Sequence, residues 1–262
     1  MNEIEKFAGL IPRFTTYDCE YTCEKHGKVK GCYFELEGGK REYVCPKCEE
    51  EARKAEQEAE LARQAEYIRR EREAMYKSRN IEPEYWDKEL KDFIPQTPEQ
   101  EKALEAVKKM IADKSGKVIL LGSNGVGKTF LGSMAVKALG GKILSMYEIT
   151  TMIRMSYSAR AEKTELEIVQ DLASIPMLVI DEMGRTKGSD AELNWLSYIL
   201  DKRHTRDLPF MILTNTHLSR DCPKKGCDSC FERFVNNDVL SRLRQNSSII
   251  TIKAPDFRAK RG

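Results

Sequence analysis

The sequence predicts an α/β chain in which a doubly wound, five-stranded parallel sheet follows a small cysteine-rich module and a long charged helix. Five of the eight cysteines lie within residues 15–48, and residues 49–80 contain neither glycine nor proline. From Thr97 onward, short apolar segments alternate with helical patterns. Strands separated by helices are typical of a parallel sheet that helices cover on both faces. We therefore expect four segments, at 1–48, 49–80, 81–96 and 97–262.

The composition limits the class of protein. Charged residues make up 33% of the chain and apolar residues 40%, so a sizeable core coexists with strongly solvated segments. The formal net charge of +2 argues against a polycation that coats nucleic acid. Apolar runs stay well short of the roughly 18 residues that a membrane helix needs, and the first residues lack an apolar signal core. We expect a cytoplasmic protein with no membrane partner, whose cysteines bind metal rather than form disulfides.

The cysteine-rich module has the spacing of a zinc ribbon. Two short ligand pairs, separated by a loop, offer the four ligands of a closed structural zinc site. The segment is rich in turn formers and poor in core residues, and such segments usually need a metal to fold. Cys19 and Cys32 are also available, so a set in which one of them replaces the histidine stays open. The predicted zinc ligands are Cys23, His26, Cys45 and Cys48.

A second cysteine cluster follows the fourth predicted strand, in the segment HLSRDCPKKGCDSC. It offers His217, Cys222, Cys227 and Cys230, of which Cys227-x-x-Cys230 has the spacing of a zinc knuckle. As a set of four, these residues indicate a zinc site less strongly than the four ligands of the cysteine-rich module do. Two interpretations stay open, a small zinc loop and a reduced, cysteine-bearing insertion at the surface.

The charged segment 49–80 is dominated by Glu, Ala, Arg and Lys, which favour a helix. Its large apolar residues are too sparse for a heptad seam, so we expect a solvated spacer rather than a coiled coil. A proline-bearing linker follows. Thr97 then starts a helix in which Pro98 takes the first helical position and Gln100 the capping-box position.

Five apolar segments in the last part of the chain are predicted to be the strands of the sheet. In a doubly wound sheet their carboxyl ends lie along the edge at which ligands usually bind. The predicted strands are Lys117–Leu121, Lys142–Met146, Pro176–Asp181, Pro209–Asn215 and Ser248–Ala254.

A glycine-rich loop lies directly between the first of these strands and a helical stretch. Its sequence, GSNGVGKT, fits the pattern G-x-x-x-x-G-K-[ST], whose backbone N–H groups curl around phosphate oxygens at a helix N-terminus. Lys128 is expected to meet the β and γ phosphates, and the Thr129 hydroxyl to hold Mg²⁺. The loop therefore predicts an ATP site. The residues expected to contact the nucleotide are Gly122, Ser123, Asn124, Gly125, Val126, Gly127, Lys128, Thr129 and Phe130.

Polar side chains end two strands beside this loop. Asp181 closes the third strand, where we expect it to hold Mg²⁺ through water, and Glu182 is then placed to polarise an attacking water. A kinase has no need of such a water, so the Asp-Glu pair favours ATP hydrolysis. Asn215 closes the fourth strand and could position the same water, although an ordinary turn residue would look the same.

A family resemblance rests on four segments, GSNGVGKT, LVIDEMG, ILTNT and DVLSRLRQNS. The chain resembles the AAA+ helicase loaders of the DnaC/DnaI type and their relatives, the IstB-like transposition ATPases. The cysteine-rich front and charged helix resemble the loader branch in particular. The resemblance implies a P-loop AAA+ core, which we expect to lack the helical lid because only PDFRAKRG follows the fifth strand.

The resemblance also implies that subunits assemble into a ring or spiral and complete one another's sites. In this family an arginine of the SRL-like segment reaches the nucleotide of the neighbouring subunit, and the matching position is Arg242. Arg244 is a close competitor. An arginine supplied in trans stabilises charge on the transferring phosphoryl group and makes hydrolysis depend on assembly. Arg258 could partly replace the arginine that a lid would supply.

The partners implied by the resemblance are a replicative DNA helicase, which the front module would contact, and single-stranded DNA. The chain would then load the helicase and use ATP, Mg²⁺ and a structural zinc ion, with weak, partner-stimulated hydrolysis. Two alternatives stay open. One is an IstB-like ATPase that assists a transposase, and the other is a nucleotide-switched adaptor with negligible turnover.

A stretch between the second and third strands suggests a contact with single-stranded DNA. We predict a helix there with aromatic and basic side chains on or near one face, a combination that suits base stacking and phosphate pairing. A solvated amphipathic helix would look the same. The side chains concerned are Tyr147, Arg154, Tyr157, Arg160 and Lys163.

Overall fold

The computed structural model describes most of the chain, which forms two compact units, Met1–Glu71 and Arg72–Gly262. Among the described residues, none of the helices has the length and apolar character needed to cross a membrane. The described residues are 15–36, 38–184, 189–222, 224, 227, 230–235 and 237–256.

The first unit is built around an antiparallel sheet of three strands in the order β1-β2-β3. A tight turn joins β1 to β2, and its Gly27 has a φ of 68°, in the region that favours glycine. A helix, α1, begins at Pro46 rather than at Glu49, because proline is well tolerated in the first helical turn. The elements are β1 (Thr16–Cys23), β2 (Gly27–Glu35), β3 (Arg41–Val44) and α1 (Pro46–Ser78), of which the residues from Arg72 onward belong to the second unit.

The charged helix α1 carries ion pairs along its exposed surface. Glu50 and Lys54 lie 2.7 Å apart, and Glu66 and Arg70 lie 2.9 Å apart, both at a spacing of four residues. Ion pairs between exposed side chains at this spacing contribute little to stability, because solvent screens them. Most side chains of α1 are exposed, which agrees with the predicted solvated helix, but Tyr76 near its end is buried.

The second unit contains a five-stranded parallel sheet in the order β5-β6-β7-β4-β8, which confirms the predicted fold class. Successive side chains of a strand point to opposite faces. In β4, Ile119 and Leu121 therefore join one buried cluster, while Val118 and Leu120 join the other. The strands are β4 (Lys117–Gly122), β5 (Lys142–Ser145), β6 (Leu178–Asp181), β7 (Phe210–Thr214) and β8 (Ser247–Ile252).

Helices cover both faces of this sheet, and their starts follow capping signals in the sequence. Ser145, Thr164 and Ser189 each form a capping box with the glutamate three residues later. Thr97 caps α2 as predicted, but Gln100 bonds to Gln96 instead of completing the capping box. The helices are α2 (Pro98–Asp113), α3 (Lys128–Leu139), α4 (Met146–Met155), α5 (Glu165–Ser174), α6 (Asp190–Thr205), α7 (Phe231–Phe234) and α8 (Asn237–Arg244).

The segment that precedes α2 belongs to the second unit, whose first residue is Arg72 rather than Thr97. Ile81 and Phe93 are buried in the cluster that α2 and α3 cover. The backbone is fixed by Trp86, whose indole Nε1 donates to the Ile81 carbonyl oxygen at 2.8 Å. The expected boundaries at 80 and 96 stay predictions, and this proline-bearing segment buries its apolar residues within the second unit.

A buried arginine joins several loops of the second unit. The Arg203 side chain is fully buried, and its guanidinium donates to four carbonyl oxygens at distances of 2.6–3.1 Å. Burial lowers the pKa of Arg203 to about 10. The four acceptors are the carbonyl groups of Leu172, Ile175, Pro176 and Pro209.

Replacing Arg203 by alanine is expected to destabilise the second unit by about 3 kcal/mol, because it leaves buried carbonyl groups without donors. Urea unfolding would measure the loss. Arg206→Ala is the matched control, since Arg206 is exposed and donates to Ser174 Oγ at 3.0 Å. Equal unfolding free energies for the two variants would contradict this role.

Candidate functional site

The loop between β4 and α3 wraps around the amino group of a lysine. Lys128, the first residue of α3, is 6% exposed. Its Nζ donates to the carbonyl oxygens of Gly122 and Ser123 and to Asn215 Oδ1, each at 2.8 Å. The structure thus brings together two predicted catalytic residues, one from the loop and one from the end of β7.

Two glycines of the loop leave no room for a side chain. Gly125 and Gly127 have φ angles of 74° and 95°, which non-glycine residues rarely adopt. A Cβ at Gly127 would lie 2.5 Å from the Phe93 ring, and one at Gly125 would lie 1.6 Å from the Asp256 carboxylate. The loop can therefore approach a phosphate only with these glycines in place.

The two predicted acids lie at the carboxyl end of β6, beside the loop. Thr129 Oγ1 donates to Asp181 Oδ2 at 2.9 Å, and the backbone N–H of Glu182 donates to Asp181 Oδ1 at 2.7 Å. Burial raises the pKa of the Asp181 carboxyl, while these two hydrogen bonds and Lys128 act to lower it. Thr129 and Asp181 offer the oxygen ligands that suit Mg²⁺.

Glu182 has a backbone conformation that non-glycine residues rarely adopt. Its φ is 54°, and its side chain is exposed at the wall of the site. Asn215 is held from the loop side, because its Nδ2 donates to Asn124 Oδ1 at 2.8 Å. Strained backbone often occurs at functional positions, so Glu182 is a suitable residue to act on a water near the phosphates.

A cavity of about 530 Å³ adjoins these groups and is large enough for a nucleotide. One wall is formed by the segment that precedes α2. There the Phe130 ring lies 5.8 Å from the Tyr85 ring and 5.6 Å from the Phe93 ring. The lining residues from this segment are Glu84, Tyr85, Lys88, Asp92, Phe93, Ile94 and Gln96.

This wall lies in the segment 81–96, which the sequence predicts to be a linker. The aromatic residues Tyr85 and Phe93 were the available signal, since aromatic side chains in a linker are usually buried against something. Gln100 connects the wall to the loop. Its fully buried side chain accepts from the Gln96 backbone N–H at 2.8 Å and donates to the Val126 carbonyl oxygen at 3.2 Å.

In the first unit, the four predicted zinc ligands come together where β1 turns into β2 and β3 meets α1. Their ligand atoms all lie within 4.8 Å of one another. Individual separations are 3.5 Å between Cys23 Sγ and Cys48 Sγ, and 3.2 Å between His26 Nδ1 and Cys48 Sγ. Ligands of a tetrahedral zinc ion lie about 3.4–3.8 Å apart. The residues thus fit zinc, and Cys19 and Cys32 lie outside the cluster.

Groups around this cluster prepare it for a metal. His26 turns Nδ1 toward the sulfur atoms, and its Nε2 lies 3.0 Å from Glu51 Oε1. Zinc-binding histidines usually bond to a carboxylate through the other ring nitrogen in this way. Backbone N–H groups of Lys25 and His26 lower the pKa of the Cys23 thiol to about 6, whereas the neighbouring Cys23 sulfur and burial raise the pKa of the Cys48 thiol to about 11. Cys23 is therefore the thiol that most readily forms the thiolate that zinc requires.

The other predicted site residues are placed less completely. Arg242 lies in α8, but its side chain is outside the described part of the structure, and Arg258 lies outside the described residues altogether. Arg244 is exposed at the end of α8. His217, Cys222, Cys227 and Cys230 have ligand atoms within 4.8 Å of one another.

The predicted DNA-binding helix is shorter than expected. α4 ends at Met155, so Tyr157, Arg160 and Lys163 follow it rather than sharing its face. Lys163 pairs with Asp171 at 2.5 Å. The reason is a second start signal, because Thr164 caps the separate helix α5. Tyr147 and Arg154 do lie on α4 and are exposed, by 78% for Tyr147 and by 70% for the Arg154 side chain.

Comparison with known proteins identifies the family to which the chain belongs. Residues 56–262 match the family model described as IstB-like ATP binding protein. The ATP-binding protein of insertion sequence IS21 from Pseudomonas aeruginosa is 29% identical over 155 residues, which cover 56% of this chain and 54% of that protein. The replicative helicase loader DnaC of Escherichia coli K12 is 25% identical over 160 residues, which cover 58% of this chain and 61% of that protein. The chain thus spans little more than half the length of these curated relatives.

Solved structures share the fold. The DnaC helicase loader aligns with a TM-score of 0.52 at 22% identity, covering 66% of this chain and 100% of that chain. DnaI aligns with a TM-score of 0.51 at 19% identity, covering 68% of this chain and 94% of that chain. The replication initiator DnaA bound to AMPPCP and single-stranded DNA aligns with a TM-score of 0.53 at 18% identity, covering 67% of this chain and 52% of that chain. These likenesses show that this chain shares the fold of the three solved structures.

Proposed function

Because the chain belongs to the family of IstB-like ATP binding proteins, we propose that it loads a replicative DNA helicase onto single-stranded DNA in an ATP-dependent step. ATP binding and hydrolysis would act as the switch for assembly. The observation that carries this proposal is a Cys/His module, built around its own sheet, that precedes the ATPase unit. Such a module offers a surface that could bind a partner protein.

The chemistry proposed for the nucleotide site follows from the side chains around the loop. Lys128 would release its carbonyl partners to bind the β and γ phosphates. Thr129 and Asp181 would hold Mg²⁺, which neutralises phosphate charge when bound. Glu182 would polarise the attacking water, and Asn215 would orient that water toward the γ-phosphate. The wall around Phe130 would hold the base.

We further propose that Arg242 acts on the nucleotide of a neighbouring subunit in a ring or spiral. Mixing subunits tests this. Lys128→Ala subunits keep Arg242, and Arg242→Ala subunits keep an intact loop, so mixed assemblies should hydrolyse ATP faster than either variant alone. Arg244→Ala subunits should need no such rescue. Mixed assemblies that form but remain inactive would contradict a role in trans.

The exposed arginines Arg154, on α4, and Arg160, which follows α4, are proposed to contact single-stranded DNA. Replacing Arg154 and Arg160 together by alanine should weaken binding and lower the salt slope by about 0.7 for each lost phosphate contact. Fluorescence anisotropy at several salt concentrations would measure both quantities. The double variant Lys102→Ala, Lys109→Ala removes two exposed charges from α2 and should change neither. An unchanged slope in the first variant would rule out the contact.

A second function is favoured by the similarity to the ATP-binding protein of insertion sequence IS21. In that case the chain would assist a transposase. Affinity capture with the purified chain, with ATP and without it, separates the two functions. We expect ATP-dependent retention of the replicative helicase from the same genome. Retention of a transposase with no retention of the helicase would replace the loading proposal.

A further inference from the structure

The geometry points to a second structural zinc site in the ATPase unit, which we propose is formed by His217, Cys222, Cys227 and Cys230. All four ligand atoms lie within 4.8 Å of one another. His217 Nε2 lies 3.5 Å from Cys227 Sγ and 3.4 Å from Cys230 Sγ. These separations agree with the roughly 3.4–3.8 Å between ligands of a tetrahedral zinc ion. Three thiolates and one imidazole form a donor set that suits zinc.

The backbone on both sides of the cluster is anchored in the core. The Phe231 backbone N–H donates to the His217 carbonyl oxygen at 2.8 Å, and His217 pairs with Cys230 as a parallel bridge. Leu218 and Phe231 are buried in the same cluster of apolar side chains. The ligands therefore converge from two fixed points of the chain.

A neighbouring carboxylate reinforces this closure. Glu232 Oε2 accepts from the backbone N–H and the hydroxyl of Ser219, at 2.7 and 2.9 Å. This contact joins Ser219, which follows the buried Leu218, to Glu232, which follows the buried Phe231. The two ends of the intervening segment are thus held together at the position where the four ligand atoms meet.

The sequence of the segment between the ligands contains few apolar residues that could form a core. Between His217 and Cys230, Leu218 is the only large apolar residue of the sequence apart from the cysteines. Segments without an apolar core usually rely on a metal or on disulfides. Cys230 is only 3% exposed, whereas a cysteine on a simple surface insertion would be accessible to solvent. Of the two interpretations that the sequence left open, these contacts favour the zinc loop.

The cluster lies in the chain between Asn215 and the helix that carries Arg242. His217 follows Asn215, which bonds to Lys128, by two residues. Cys230 directly precedes α7, and α8 with Arg242 follows. Val239 and Leu243 of α8 pack in the same apolar cluster as Phe231. Zinc would thus fix the first part of the segment that runs from Asn215 to α8. A consequence for Arg242 rests on the proposed function, whereas the zinc site itself does not.

Zinc content of the untagged, full-length chain tests the proposal. After dialysis against a weak chelator, inductively coupled plasma mass spectrometry should give about two zinc ions per chain, one for each four-ligand cluster. Cys227→Ser and Cys45→Ser should each halve the zinc content, and the double variant should hold none. Cys19→Ser, Cys32→Ser and His204→Ala should keep the wild-type content, because these residues lie outside both clusters.

Absorption spectroscopy of the wild type adds a measurement that does not depend on how the variants fold. Zinc K-edge absorption should fit three sulfur ligands and one nitrogen ligand per zinc on average, since both clusters have that composition. A wild-type content of one zinc that Cys227→Ser leaves unchanged would overturn the second site. So would mass-spectrometric detection of a disulfide among Cys222, Cys227 and Cys230. A zinc content of two in a chain that fails to capture helicase would refute the proposed function and leave the zinc site standing.

Discussion

Replacing Lys128 by alanine is expected to lower ATP affinity by at least about a hundredfold. The ammonium group is buried beside the loop with three hydrogen-bond acceptors. It is the cation that we propose to bind the phosphates. Charge-assisted hydrogen bonds contribute about 1.5–3 kcal/mol each, and about 1.4 kcal/mol corresponds to a tenfold change in affinity. Isothermal titration calorimetry with Mg²⁺ and ATP would measure the loss.

Two controls separate loss of binding from loss of folding. Lys102→Ala removes an exposed lysine of α2 and should bind ATP like the wild type. Lys128→Met keeps most of the aliphatic stem, so its urea unfolding should stay close to the wild-type curve while binding is lost. If folded Lys128→Met bound ATP within threefold of the wild type, the loop would not be the nucleotide site.

Replacing Glu182 by glutamine is expected to lower the ATPase rate by about 10²–10⁴-fold while ATP affinity stays unchanged. The amide keeps the size of the side chain but can no longer accept a proton from water. Affinity should persist because the phosphate-binding groups, Lys128 and the loop, are untouched. Steady-state phosphate release and equilibrium binding, measured on the same preparation, would give both quantities.

The matched control is Glu162→Gln, which neutralises an exposed acid outside the nucleotide site. It should hydrolyse ATP at the wild-type rate. A Glu182→Gln rate within tenfold of the wild type would exclude Glu182 as the residue that activates water. If Glu182→Gln still loaded a helicase, ATP binding alone would be the switch, as in a nucleotide-switched adaptor.

The sequence was sufficient to predict the five strands and the loop, because these depend on local patterns. Apolar runs marked each strand, and a lysine after a glycine-rich turn marked the helix N-terminus. The Cys/His spacing likewise placed Cys23 and Cys45 in one cluster. In each case a short motif carries both the backbone geometry and the chemistry.

The wall of the nucleotide cavity could not be predicted in this way. Tyr85 and Phe93 lie in a segment whose helical turns, Pro83–Tyr85 and Leu90–Asp92, are too short to give a periodic signal. Their burial depends on contact with Phe130, which is distant in sequence. The predicted helix that begins near Tyr147 is too long for a different reason, because Thr164 caps a separate helix and so divides one helical pattern into two.

We propose that ATP held by Lys128 controls delivery of a helicase to single-stranded DNA. The most direct measurement follows transfer of the cognate replicative helicase onto a single-stranded DNA circle, by gel filtration of the cross-linked products. With ATP, the wild type should place helicase on the circle, and Lys128→Ala should not. Equal loading by the two proteins, or no loading by either while the wild type binds ATP, would contradict the claim.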